Sequence, residues 1–256
     1  MRPSDHDYKS LRPLLGTFFE IKLNSEANPD FVALTASEAF NEAENLEKIF
    51  SPFQKDSDVN QFNRGQNPDS LSDEFRELMT IAKKLSFSSQ KAFNPYWINP
   101  KTLDLTGIAK GFIVDKVYEY LIARLPDAEG SVSAGGDIRL IDDSEDYEFT
   151  IRAGRLEQPI VRTLRSEFPS IATSSVQFSR KKDSTTRYPH QLRQGLTEQH
   201  TIVALSALST IADGLTKVAL FAEPEVLTHT VHEWNSRVLI IAPDGQLTET
   251  YPLDEI

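Results

Sequence analysis

The stretch "DLTGIAKGFIVDK", residues 104–116, gathers residue types suited to holding a phosphate. Its pattern predicts a helix from about 107 to 124. The first turn of a helix offers unpaired backbone N–H groups and a partial positive charge to an anion. Glycine costs up to about 1 kcal/mol per helical site, so Gly107 and Gly111, one turn apart, need a reason. They leave one face bare for close approach of a ligand. Lys110 beside that face can supply a point charge to a diphosphate. Asp104, just ahead of the helix, can accept from a ribose, a flavin or a metal-bound water. The competing account is a helix that crosses a neighbour tightly, with Lys110 merely solvated.

Other segments carry similar double readings. "SAGGDIRL" (133–140) is either a tight turn capped by Asp137 or a glycine-opened wall against a ligand, with Arg139 nearby. "IATSS" (171–175) offers small hydroxyls and N–H groups. In "SALSTIADGLTKVALF" (206–221), Asp213 sits one turn into an otherwise apolar helix. A buried carboxylate needs a partner or a metal, and Lys217 at i+4 is a ready ion-pair partner. His190 lies in the irregular, basic "RYPHQLRQ". His229 and His232, at i and i+3, could touch one metal but lack an obvious acid partner and read as solvated surface.

The elements that must position these groups follow from periodicity. "GTFFEIKL" (16–23) alternates as a strand. Pro29 opens a helix to about Phe50, with Phe31, Leu34, Ala39, Phe40, Ala43, Leu46 and Phe50 at helical spacing. Residues 51–64 form a loop in which Asp56 or Ser57 caps a short helix, and Ser72 opens a helix to 88. "KAFNPYWINP" (91–100) is extended and proline-punctuated. Residues 130–141 read as strand, turn, strand; 147–153 and 170–175 as further strands; 179–200 as an irregular surface loop. "TIVALS" (201–206) is a buried strand, followed by helices at 209–221 and 224–235 and a hairpin turning at Asp244-Gly245. Paired strands between helices indicate an α+β fold rather than a doubly wound parallel sheet.

Composition limits the partners. The net charge of −11 argues against nucleic acid or an anionic membrane, although residues 151–187 carry eight Lys or Arg against three Asp or Glu. That basic stretch suits an anionic ligand or an acidic partner. The absence of cysteine removes disulfides and thiolate chemistry. No apolar run approaches the length of a membrane span and the N-terminus has no apolar leader core, so the chain as it stands is expected in the cytoplasm, or exported if a leader was removed.

Taken in order, "LLGTFFEI" (14–21), "FSPFQKDSDVNQFN" (50–63), "AFNPY" (92–96), "LDLTGIAKGFIVDK" (103–116), "SAGGDIR" (133–139), "IATSS" (171–175), His190 and "ADGLTK" (212–217) resemble the ApbE family, the FAD:protein FMN transferases. The likeness covers roughly residues 12–222 of one domain spanning 1–256. It implies a T-fold-like α+β architecture of antiparallel sheets and packed helices, with FAD in a cleft between two halves. It also implies a reaction: Mg²⁺ neutralises the FAD diphosphate, a threonine of an acceptor protein bearing a D-x-x-[ST]-G-A-T-like motif attacks the FMN phosphorus, and AMP leaves. By the same resemblance Leu15, Phe53, Ala92, Phe93, Asn94, Asp104 and Lys110 match flavin-contacting positions. Gly107 and Asp213 match metal-ligating positions, and His190 matches the catalytic histidine.

Three departures stand out. Lys217 occupies the place of a threonine metal ligand, with Thr216 one step early. "HQLRQ" replaces "HIIDP" after the histidine, and Phe53 replaces a common tyrosine. These keep two alternatives open: a non-catalytic FAD-binding or adaptor protein, and a Mg²⁺-dependent FAD pyrophosphatase.

Overall fold

The computed structural model describes residues 7–142, 144–155, 158–175 and 192–252. Among these, eight strands form one antiparallel sheet in the order β1 (Asp7–Leu14), β2 (Thr17–Asn24), β3 (Glu129–Ala134), β4 (Asp137–Ile141), β7 (Ser170–Ser174), β8 (Thr201–Ser206), β9 (Arg237–Ile241) and β10 (Leu247–Tyr251). The remaining two, β5 (Tyr147–Arg155) and β6 (Gln158–Ser166), pair as a separate ribbon. The helices are α1 (Pro29–Phe50), α2 (Asp58–Asn63), α3 (Asp73–Ser88), α4 (Thr106–Ile122), α5 (Ser209–Phe221) and α6 (Pro224–Glu233). Antiparallel sheets with packed helices are thus the architecture.

Strand β8 explains the layering. All six of its residues are buried. Alternation sends Ile202 and Ala204 into the core shared with the helices, and Val203 and Leu205 into a second core closed by Phe149, Ile151 and Ala153 of β5. The same division holds in β9, where Val238 and Ile240 face the helices and Leu239 and Ile241 face the ribbon. Central strands read as unbroken apolar runs because both sheet faces are covered. Each buried Val, Leu, Ile or Phe side chain among them contributes about 1.5–3 kcal/mol.

Helix starts obey local chemistry. Asn28, ahead of Pro29, accepts from Asp30 N at 2.9 Å, and Ser72 accepts from Phe75 N at 3.2 Å. Of the two candidates at α2, Ser57 is the cap, accepting from Asn60 N at 3.2 Å. In α1 the buried stripe runs through Val32, Ala36, Ala39, Phe40 and Ala43. Phe31 and Leu34, expected within it, fall out of phase and are exposed.

Two strands escape the sequence reading. β1 buries only Leu14 and is held by its ladder to β2, from Asp7↔Asn24 to Leu14↔Thr17. β6 is defined by its ladder to β5. The expected 179–200 loop is described only from residue 192.

Candidate active site

A cavity of about 620 Å³ opens where the 92–97 loop, the first turn of α4, the β3–β4 turn and the end of β7 converge. Its size falls within the range of about 300–1,000 Å³ usual for small-molecule sites. Phe93, Trp97 and Phe221 supply aromatic wall, Thr173 and Ser174 supply hydroxyls, and Arg152 contributes from β5.

Three charged side chains, Lys110, Asp137 and Lys217, line one side of this cavity, and Asp213 lies behind them. Lys110 of α4 donates to Asp137 at the start of β4 and lies 3.4 Å from Asp213 Oδ2 on α5. Lys217, one turn beyond Asp213, donates to its Oδ1. The Gly111 N–H approaches Oδ2 at 3.4 Å. Asp137 and Asp213 are 1% and 0% exposed. The lysine side chains keep 32% and 23% of their surface, and both line the cavity. Two carboxylates and two ammoniums balance, yet the bases are the more open members.

Burial sets the protonation pattern. It opposes the charge on Lys110, but the carboxylates of Asp137 and Asp213 outweigh it and hold the ammonium above the usual lysine range. Burial raises Asp137 to about 6, with the neighbouring Asp213 charge adding and Lys110 opposing. Burial also opposes ionisation of Asp213, but Lys110 and Lys217 outweigh it and hold this carboxyl below its usual value. The difference follows from the pairing: Asp213 has two ammoniums beside it and Asp137 has one in contact.

The frame behind the site is also charged. Asp115, on α4, accepts the N–H groups of Ser209 at 3.0 Å and Thr210 at 2.8 Å, and the Thr210 hydroxyl at 2.6 Å. It thereby caps α5 from a neighbouring helix. Arg139 of β4 donates to the same carboxylate at 2.5 Å and stacks over Tyr118 at 3.8 Å. Gly111 makes the helix crossing possible: a Cβ there would overlap the Ser209 carbonyl and lie 2.8 Å from Thr210 N. The two glycines therefore divide the two readings of their segment. Gly111 serves helix packing, and Gly107 lines the cavity, where a Cβ would stand 3.3 Å from Phe93 Cε2.

The profile of the ApbE family matches residues 15–100 and 98–240 of this sequence. This chain belongs to the ApbE family. Its fold matches that of the ApbE protein of Thermotoga maritima (TM-score 0.78, 17% identity, covering 95% of this chain and 96% of that one). It also matches the flavinyl transferase ApbE of Pseudomonas stutzeri in its apo form (0.70, 20%, 98% and 95%). A third match is the flavin transferase ApbE of Vibrio cholerae (0.68, 18%, 96% and 96%). No curated protein sequence matches it.

The ApbE-matched positions do not all converge. Ala92, Phe93, Asn94, Asp104, Gly107 and Lys110 line the cavity. Leu15 and Phe53 are not among its lining residues; Leu15 N donates to Glu47 at 2.8 Å, and Phe53 is 85% exposed. His190 lies outside the described residues. Asp104 is already engaged: Oδ2 accepts from the Trp97 indole at 2.9 Å, and Oδ1 accepts the Thr106 N–H at 2.9 Å and hydroxyl at 2.7 Å. It ties the 92–97 loop to the start of α4. Gly135, Gly136 and Asp137 line the cavity, in line with the wall reading of their segment, and Asp137 pairs with Lys110; Arg139 is not among the lining residues and pairs with Asp115.

The magnesium that the ApbE resemblance implies does not fit the residues present. Mg²⁺ requires near-octahedral oxygen donors. Asp213 turns one oxygen to the Lys217 ammonium and the other to Lys110 and the Gly111 N–H, and it does not line the cavity. Among the described residues, no group of three His, Asp or Glu gathers to hold a metal. Of the two readings of Asp213, the structure shows the ion pair with the intrahelical Lys217. Sequence reasoning missed Trp97 and Arg152 at the cavity; the only available signal was the basic excess around residue 152. Among the described residues, no helix is long and apolar enough to cross a membrane.

Proposed function

We propose that this protein is a flavin transferase that binds FAD in the cavity and passes FMN to a threonine of an acceptor protein, with AMP as leaving group. The observation that carries this reading is the pair of cavity-lining ammoniums, Lys110 and Lys217, beside the bare first turn of α4 in a chain of the ApbE family. The Vibrio cholerae and Pseudomonas stutzeri proteins of the same fold are flavin and flavinyl transferases, which supports the same class of reaction here.

Phosphoryl transfer depends on positioning and charge stabilisation more than on covalent help from the protein. Lys110 and Lys217 would face the diphosphate, and Phe93, Trp97 and Phe221 offer planar surface to the rings. The threonine oxygen forms a bond to the FMN phosphorus as the bond to the AMP oxygen breaks, and AMP takes the electron pair. The threonine proton passes to His190, the histidine matched by resemblance to catalysis. No step is routed through magnesium, because Asp213 is already committed to Lys217.

The test is incubation with FAD and an acceptor domain carrying D-x-x-[ST]-G-A-T, followed by in-gel flavin fluorescence and AMP analysis. A fluorescent acceptor band with matching AMP supports the reading, and its absence overturns it. AMP and FMN without a labelled acceptor would assign hydrolysis instead. FAD retained without either product would assign the flavin-holding reading, which the Lys217–Asp213 pair favours.

A further inference from the structure

We infer that Lys217 is a built-in replacement for a divalent cation, so that this chain binds a flavin diphosphate without metal. The inference rests on the flavin reading above and specifies its electrostatics. Three observations carry it.

First, position: Lys217 donates to Asp213, lines the cavity and keeps 23% of its side-chain surface, so its charge stands between the buried carboxylate and the ligand space. Second, balance: Asp137, Asp213, Lys110 and Lys217 already sum to zero at a site where both carboxylates are buried. A divalent ion would leave that cluster doubly positive and would have to displace an ammonium from Asp213. Displacement is resisted by connectivity, because residues at i and i+4 remain neighbours for as long as α5 is helical. Third, proximity to phosphate-binding groups: Lys110 and Gly107 line the same cavity, so two ammoniums and the start of α4 converge there.

The inference is tested by FAD titration followed by flavin fluorescence, with EDTA or with MgCl₂, on the full chain and on Lys217→Thr. The wild-type Kd should change less than about twofold between the two conditions. Lys217→Thr should weaken at least about tenfold in EDTA and recover in Mg²⁺. Mn²⁺ titration followed by electron paramagnetic resonance, without flavin, should show one more ion bound by Lys217→Thr than by the wild type.

A wild-type Kd that weakens about tenfold on chelation overturns the inference, as does equal Mn²⁺ uptake by the two proteins. The EDTA comparison needs no variant, so it decides the matter even if Lys217→Thr does not fold. Failure of the folded wild type to bind FAD in either condition would instead refute the flavin reading. The Mn²⁺ comparison would still decide the role of Lys217.

Discussion

The carboxylate of Asp115 receives the backbone N–H of Thr210 at 2.8 Å, so the helix carrying Asp213 and Lys217 is capped by the helix carrying Lys110. The two halves of the charged cluster are therefore held by one buried bond network, which also includes Arg139 at 2.5 Å. Asp115→Ala removes the cap and leaves the Arg139 guanidinium without its carboxylate. We expect a loss of about 3–5 kcal/mol, read as a lower urea midpoint. A loss under about 1 kcal/mol would show that water replaces the carboxylate at little cost.

The two glycines of α4 should separate stability from binding. Gly111→Ala puts a methyl group into the Ser209 carbonyl. The clash should outweigh the gain in helix propensity and destabilise by about 1–3 kcal/mol. Gly107→Ala meets only the Phe93 ring edge and Lys217 Cγ. Its thermal midpoint should stay near wild type while FAD affinity falls. Equal destabilisation by both would refute the division.

Arg152 is exposed on β5 and lines the cavity, and its side chain forms no hydrogen bond or ion pair within the described residues. Arg152→Ala should leave the urea midpoint within about 0.5 kcal/mol of wild type and weaken FAD binding about tenfold at low salt. The difference should narrow as salt rises, since an exposed charge is screened. A salt-independent loss would point to a packing role instead.

The pH dependence of stability should have an unusual contribution from Asp137. Its folded value is pushed up to about 6 by burial, above the unfolded carboxylate value of about 3.9. Its contribution is therefore present below about pH 4 and lost as pH rises through about 6. Asp213, held low, contributes above the unfolded value and loses that contribution as pH falls through its depressed folded value. Urea midpoints of wild type and Asp137→Asn between about pH 4 and pH 7 should differ in slope, with the falling component absent from the variant. Parallel curves would show that Asp137 does not take up its proton in this range.

Much of this site was legible because its residues are close in sequence or governed by strong periodicity. The i, i+4 spacing of Asp213 and Lys217 was visible, as was the buried character of β8. What could not be read were partnerships made by the sheet. Asp137 looked like a turn cap beside two glycines. Only the β3–β4 register and the packing of β4 against α4 bring it to Lys110, 27 residues away. β1 was hidden for a related reason: only one of its eight residues is buried, so it lacks an apolar stripe and takes its form from β2. Trp97 and Arg152 come from a loop and a ribbon, where periodicity says nothing about which cavity a side chain lines.

The pairs Lys110–Asp137 and Asp115–Arg139 run in opposite sense along the same two elements. Helix α4 presents a base and then an acid; strand β4 presents an acid and then a base, two residues apart on one face. Such a pattern accepts only one alignment. Sliding the helix about one turn along the strand would set Lys110 opposite Arg139, cation against cation, and leave Asp137 buried without a base. The arrangement works as a keyed joint, and the part it holds at a fixed height is the first turn of α4 at the cavity wall.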